Sequence, residues 1–169
     1  MPRPPRPGRR AALLLALLPA LTSATARAHD YRAGDLSIGH PWSRPAPSGG
    51  TGVGYMTLRN GGGAAERLLS AASPAARAVE LHTHIRDGDV MRMRPVADVP
   101  IPPGGMVAFE PGGLHLMLIG LARPLREGER VPLTLSFARA GRVEVELVVE
   151  SMRARPDAGG GDHGGHHRH

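Results

Sequence analysis

The 169-residue chain contains 23 Gly, 17 Pro and only five aromatic residues, a composition that suits one domain with many turns and an aliphatic core. It contains no cysteine, which excludes disulfides, a lipid-modified cysteine and any metal site built on thiolate. The formal net charge is +6 at pH 7. Where that charge lies decides whether nucleic acid is a partner to consider.

The first 28 residues predict a cleaved signal peptide and therefore an exported protein. The cationic segment MPRPPRPGRR precedes the apolar run AALLLALLPAL, and Ala26-Arg27-Ala28 has the small-x-small pattern that signal peptidase cleaves. The apolar run has 11 residues, whereas a membrane-spanning helix needs about 20. We therefore expect no stable membrane insertion after cleavage. Cleavage also removes five Arg and leaves 16 basic against 15 acidic residues, which removes the compositional support for nucleic-acid binding.

Residues 29–150 predict one all-β domain, either a sandwich or a barrel. Short segments rich in Val, Leu and Ile alternate with Gly and Pro clusters, and residues 73–77 could form at most one helical turn. The Pro- and Gly-rich stretches 43–54, 60–64 and 100–105 predict surface loops. The predicted strands are DLSIGHPW, GYMTLRN, RLLSAAS, AVELHTHI, VMRMRPV, MVAFE, LHLMLIG, VPLTLSFA and VEVELVVE.

The stretch LHTHIRDGDVMRM, residues 81–93, predicts a β-hairpin with two histidines on one arm and two methionines on the other. Asp-Gly favours a two-residue type I′ loop. With Asp87 and Gly88 as that loop, His82 would face Met93 and His84 would face Met91. Facing residues hold their Cβ atoms about 4.5 to 5.5 Å apart, and the alternation of a strand places all four side chains on one face. The hairpin is therefore a candidate metal site.

A second pair, His115 and Met117, shares a strand face. The leucines that alternate with them, at 114, 116 and 118, point to the core. Two imidazoles with thioethers and no carboxylate form a soft ligand set that selects Cu(I) over zinc, magnesium or calcium. The alternative for either pair is ordinary packing, because methionine is a common gap-filler in cores. Met56 and Met106 have no nearby histidine, and we interpret both as core residues.

The ligand spacing is His82, ten residues, Met93, twenty-one residues, His115, one residue and Met117. This H-x10-M-x21-H-x-M pattern resembles the signature of the periplasmic copper(I) chaperones of the PCu(A)C type. The similarity spans about residues 34–149 and includes HPWSRPAPSGGTGVGYMTLRN, VMRMRPV, PGGLHLMLIGLARPLREGERVPLTLSF and VEVELVV.

The resemblance implies a cupredoxin-like Greek-key β-barrel that binds Cu(I) through His82, Met93, His115 and Met117. It implies a periplasmic carrier rather than an enzyme. It also implies delivery of copper toward the binuclear copper centre of cytochrome c oxidase, with subunit II or another copper chaperone as the partner. His84 and Met91 are not in the four-ligand signature. We hypothesise that they form an outer shell or a transient landing position for the ion.

Residues 151–169 predict a disordered, histidine-rich tail, because they contain no apolar period. A flexible tract of this kind can bind metals, and neutral imidazole suits Cu(II). The alternative is a solvated tail without a metal. The auxiliary candidates in the tail are His163, His166, His167 and His169.

Two other functions are compatible with the sequence. Cleavage after Ala28 would leave His29 as the new N-terminus, and an amine beside an imidazole can chelate Cu(II), as in secreted copper-dependent oxidative enzymes. Such a site needs a further histidine, for which His40 is the candidate, and it would leave both His/Met pairs unexplained. The other alternative is a β-sandwich interaction module that binds no metal. The sequence has no Ser-His-Asp signature and no phosphate-binding glycine loop, so we expect no catalytic residues.

Overall fold

The computed structural model describes residues 30–151, and this part of the chain folds into eleven β-strands without a helix. No helix that could span a membrane occurs within residues 30–151. The predicted signal peptide, His29 and the histidine tail beyond Ser151 lie outside the described residues. The strands are β1 Tyr31–Ala33, β2 Leu36–Ser43, β3 Thr51–Asn60, β4 Glu66–Ala72, β5 Ala76–Asp87, β6 Val90–Pro95, β7 Val99–Ile101, β8 Met106–Phe109, β9 His115–Leu121, β10 Arg130–Phe137 and β11 Gly141–Val149.

Seven of these strands close into a barrel. The hydrogen-bonded order is β2, β11, β10, β4, β5, β9 and β3, and the β2–β3 pairing completes the ring. The β11–β2 pairing is parallel, whereas the other pairings are antiparallel. Strands β1, β6, β7 and β8 extend the sheet at its edges. The all-β domain predicted from the short apolar segments is confirmed, because every predicted segment contains a strand, and the closed ring is the barrel that the resemblance implied.

The barrel interior is aliphatic and is filled by the inward faces of the strands. Leu116 and Leu118 of β9 are fully buried, and Leu114 packs against the same cluster, as their alternation predicted. Met56 is buried as expected. The prediction for Met106 is wrong, since this side chain is 60% exposed. Met106 begins β8, which pairs with β3 and ends the strand order within residues 30–151, so its side chain lies at an edge of the sheet.

All three predicted loops are shorter than expected, and the loop 60–64 is shorter by one residue, because Asn60 ends β3. Strand β3 begins at Thr51, inside the predicted loop 43–54, because its first residues pair with β9. Strand β7 includes Pro100 of the predicted loop 100–105. Pro is tolerated there because, within residues 30–151, β7 pairs with β4 alone, and an edge strand does not need hydrogen bonds on both sides.

Glu66, at the start of β4, is a buried carboxylate that holds the turn between β10 and β11. Its oxygens accept hydrogen bonds from the backbone N–H groups of Arg67 (2.8 Å), Arg139 (3.0 Å) and Ala140 (2.8 Å). Burial by itself raises the pKa of the Glu66 carboxyl, but these N–H groups outweigh it and hold the pKa below the usual 4.5. The carboxylate is therefore part of the fold.

Candidate metal centre

The antiparallel pairing of β5 with β9 brings together two histidines from distant parts of the sequence. His82 lies directly opposite His115, with ring centroids 5.9 Å apart, and Glu80 lies opposite Met117. Leu81 of β5 and Leu116 and Leu118 of β9 face the core, and the four side chains alternate with them, so they share the outer face of the barrel. The sequence predicted that each His/Met pair occupies one strand face, and the barrel joins the two faces.

The predicted hairpin register is wrong, because the pairing of β5 with β6 is shifted by two residues. The loop is Gly88-Asp89, so His84 faces Met93, His82 faces Pro95, and Met91 faces Arg86. Gly88 has φ 63°, and Asp89 has no positive φ. The glycine therefore takes the first loop position, as in type II′ turns, rather than the second position assumed for type I′. Because the shift is an even number of residues, the histidines and methionines still share one face.

His115 offers one bare nitrogen in a buried position. Its ring is 2% exposed, and Nδ1 donates a hydrogen bond to the carbonyl oxygen of Gly113 at 3.0 Å. Since a carbonyl can only accept, the proton lies on Nδ1 and the lone pair on Nε2. Nε2 is buried and has no hydrogen-bond partner.

Burial also keeps the His115 ring neutral. It lowers the pKa of His115 below the usual 6.5, the Gly113 carbonyl opposes this shift, and His84 and His82 lower the pKa further. A neutral imidazole is the form that binds metals.

His82 offers a second bare nitrogen. Its Nε2 lies 2.8 Å from Oε2 of Glu80, and its side chain is only 13% exposed. An ionised carboxylate accepts and cannot donate, so Nε2 carries the proton and Nδ1 carries the lone pair. Nδ1 is also buried without a partner. A carboxylate in this position orients a metal-binding imidazole and raises its basicity.

Sequence reasoning missed Glu80, although its position gave a signal. Glu80 precedes His82 by two residues on the same strand, so both side chains lie on one face. The pattern Glu-x-His on a strand therefore predicts the contact that the structure contains.

The thioethers lie nearer to solvent than the imidazoles. Met117 is half-buried beside Glu80 and Val53, whereas Met93 is 46% exposed and Met91 is 55% exposed. His84 is half-buried, and its ring centroid lies 4.9 Å from that of His115. The structure thus brings His82, His115 and Met117 together, places Met93 diagonally from His82, and leaves Met91 at the hairpin end.

The donor set fits a soft ion better than a hard one. Within residues 30–151, no three His, Cys, Asp or Glu side chains are already grouped to hold a metal. Buried polar atoms are normally hydrogen-bonded, so two bare imidazole nitrogens on one face need an explanation. Two imidazoles with adjacent thioethers provide the donors that Cu(I) prefers.

Comparisons with known proteins identify a family and a relative of this chain. The family described as "Putative lipoprotein LpqE-like" matches residues 36–149. The protein named "Putative lipoprotein Lxx21020" of Leifsonia xyli subsp. xyli (strain CTCB07) is 29% identical over an alignment of 150 residues, and the alignment covers 85% of this chain and 90% of that protein.

Two solved structures share the fold. The copper-bound PCuAC domain from PmoF2 is 28% identical, with a TM-score of 0.63, over 73% of this chain and 98% of that domain. The solution structure of CuI-DR1885 from Deinococcus radiodurans is 31% identical, with a TM-score of 0.56, over 78% of this chain and 86% of that protein. None of these proteins is named as an enzyme. The predicted resemblance to the PCu(A)C type and the cupredoxin-like fold class are confirmed, and the chain belongs to the LpqE-like family.

Proposed function

We propose that this protein is a periplasmic copper chaperone that binds Cu(I) through His82, Met93, His115 and Met117 and passes it to a copper-accepting protein. Support comes from the copper named in two structural neighbours and from the donor set of this chain. The observation that carries the proposal is the pair of buried, unpartnered imidazole nitrogens, His82 Nδ1 and His115 Nε2, on the face that also holds Met117.

The gradient of exposure across the site suits a carrier. His115 and His82 form the buried floor, and Met93 and Met91 reach solvent. An incoming ligand from an acceptor can displace an exposed thioether while the imidazoles still hold the ion. Thioethers need no deprotonation and form no disulfides, which suits an oxidising compartment. His84 and Met91 then serve as transient positions during entry and release.

The family and the sequence support the proposed location and the proposed recipient. The family and the curated relative are named as lipoproteins, which supports export of this chain. Because the chain has no cysteine, it offers no thiol for lipid attachment, and signal cleavage would release it into the periplasm. The PCu(A)C resemblance supports the binuclear copper centre of cytochrome c oxidase subunit II as the recipient. Copper transfer to the metal-free copper domain of subunit II, followed by mass spectrometry, tests this step.

An anaerobic Cu(I) titration with X-ray absorption spectroscopy tests the site itself. The wild type should bind one Cu(I) with sulfur and nitrogen neighbours, and Met117→Leu should lose sulfur scattering and affinity. Met106→Leu is the matched control, because Met106 is exposed on β8 and should leave binding unchanged. Unchanged sulfur coordination in Met117→Leu would refute the assignment. A protein that retains no copper on purification and binds none on titration would favour the metal-free interaction module.

The histidine tail is proposed to bind Cu(II). A tethered tail has a high effective concentration near the barrel, so His163, His166, His167 and His169 could capture Cu(II) while the barrel holds Cu(I). Cu(II) titration of the full chain and of a chain ending at Arg155 tests this idea. Equal stoichiometry in the two proteins would eliminate the tail site.

The oxidative-enzyme alternative gains no support. Its first ligand, His29, lies outside the described residues, and His40 Nε2 lies 2.9 Å from Glu150 Oε1. The relatives and the family are copper-binding or lipoprotein domains rather than oxidative enzymes.

A further inference from the structure

His84 is a third imidazole on the outer face of the barrel that holds His82 and His115. It is not part of the four-ligand signature. Its ring lies nearer to His115 than the His82 ring does, with centroids 4.9 Å and 5.9 Å apart, respectively. Metal–nitrogen bonds of about 2.0 to 2.1 Å place the centroids of two rings that share one ion about 4.5 to 6 Å apart. Both separations lie in that range, and His115 is the central ring.

The hydrogen bond that holds the His84 ring is weak. The carbonyl oxygen of Gly113 lies 3.0 Å from His115 Nδ1, 3.3 Å from the His84 backbone nitrogen and 3.4 Å from His84 Nδ1. A carbonyl has two lone pairs, so three donors compete for it and the longest contact is the weakest. The His84 ring is also half-buried rather than enclosed. It can therefore turn toward an ion at little cost.

We propose that His82, His84 and His115 together bind Cu(II), as a bound state separate from the Cu(I) state that uses the thioethers. This inference rests on the proposed function, because the two states share His82 and His115. Three imidazoles suit a borderline divalent ion, and Cu(II) binds nitrogen sites more tightly than the other first-row divalent ions do. Each oxidation state binds as it arrives, and no electron transfer at the site is involved.

The Cu(II) state requires side-chain rotation, because the three rings are adjacent without already converging on one point within residues 30–151. His84 lies opposite Met93 on the exposed hairpin, where neither side chain is enclosed by the core. Turning the His84 ring inward would therefore exchange a thioether for an imidazole at the same edge of the site. The Glu80 carboxylate, 2.8 Å from His82 Nε2, adds negative charge that favours a divalent cation.

The test compares His84→Thr and His84→Gln with their parent. In every sample the mature full-length chain has His29 and the four tail histidines replaced by Ala, so that Cu(II) has no other histidine-rich site. Pulsed EPR counts the imidazoles bound to added Cu(II), and competition with glycine gives the Cu(II) affinity. Competition with a chromophoric chelator under anaerobic conditions gives the Cu(I) affinity. His40→Asn is the control, because Asn tolerates the positive φ of 45° at that position.

The parent and His40→Asn should show three imidazoles on Cu(II). Both His84 variants should show two and bind Cu(II) at least about tenfold more weakly, the lower end of what even outer-shell partners contribute. Their Cu(I) affinity should fall less than their Cu(II) affinity does, because His84 is not one of the four proposed Cu(I) ligands.

An unchanged imidazole count overturns the inference, and so does an equal loss of Cu(I) and Cu(II) affinity. A parent that binds no Cu(I) refutes the proposed function instead, whatever His84 does to Cu(II).

Discussion

Glu66 and His115 are both buried polar side chains, 7% and 2% exposed, but their hydrogen bonding differs. Glu66 accepts from three backbone N–H groups. His115 donates one hydrogen bond, from Nδ1 to the carbonyl oxygen of Gly113, and its Nε2 has no hydrogen-bond partner. A buried polar group without a partner lowers the stability of the folded state, and no other contact of the bare nitrogen offsets that loss. The contrast is the one expected between a side chain that serves the fold and one that is proposed to bind a ligand.

The largest expected effect is on copper binding in His115→Leu. Loss of a ligand should weaken Cu(I) binding by more than about 100-fold, since outer-shell changes alone cost about 10- to 100-fold. The free energy of unfolding of the copper-free protein should change by less than about 1.5 kcal/mol, because Leu has a similar volume and no unpaired nitrogen. Chelator competition and urea unfolding measure the two quantities, with His40→Asn as the control. Retained Cu(I) affinity with a large loss of stability would reverse the contrast.

Glu66→Gln should produce the opposite pattern. At pH 7 the free energy of unfolding should fall by about 1 to 3 kcal/mol, because the three backbone N–H groups would lose their charged acceptor. Cu(I) affinity should not change. Glu144→Gln, on the exposed face of β11, should leave both quantities unchanged.

The effect of Glu66→Gln should also depend on pH. Because the folded pKa of Glu66 lies below 4.5, its stabilisation is fully present above that value and is lost as the pH falls through the folded pKa. The stability difference between wild type and variant should therefore shrink below about pH 4.5. Urea unfolding as a function of pH measures it, and a difference that grew in acid would contradict the role assigned to the carboxylate.

The contrast extends to His82 through Glu80. In Glu80→Gln, the neutral amide can donate or accept, so it no longer fixes the proton on Nε2 of His82. We expect Cu(I) affinity to fall about tenfold, as for other outer-shell partners, and the free energy of unfolding to stay within about 0.5 kcal/mol. Nitrogen NMR of His82 reports the tautomer. An unchanged tautomer and affinity would show that the 2.8 Å contact is incidental.

Among the variants on or beside the proposed copper site, Gly88→Ala in the hairpin loop should have the smallest effect on Cu(I) affinity. A Cβ at φ 63° should cost about 1 to 2 kcal/mol locally, although it meets no atom within 4 Å. The cross-strand NMR contacts between His84 and Met93 should weaken, those between His82 and His115 should persist, and Cu(I) affinity should fall less than tenfold. Gly63→Ala is the control, because that site is equally open and has no positive φ. Loss of the His82–His115 contacts would show that the hairpin and the buried floor are not independent.

The amino-acid pattern predicts the strands and the face on which each His and Met lies, because these depend on the two-residue period of a strand. It does not predict the hairpin register. An Asp-Gly-Asp turn allows either Asp87-Gly88 or Gly88-Asp89 as the loop, and both keep the same faces. The structure contains the second loop, which moves Met93 from His82 to His84.

The sequence by itself determined the all-β fold, the shared face of the histidines and methionines, and the soft donor chemistry. Only the tertiary structure placed His82 opposite His115, buried the bare nitrogens, and set Glu80 against His82. The physical reason is the distance along the sequence between the residues that interact. Side-chain alternation is local, whereas the β5–β9 pairing and the burial of His115 require the closed barrel to bring distant strands together.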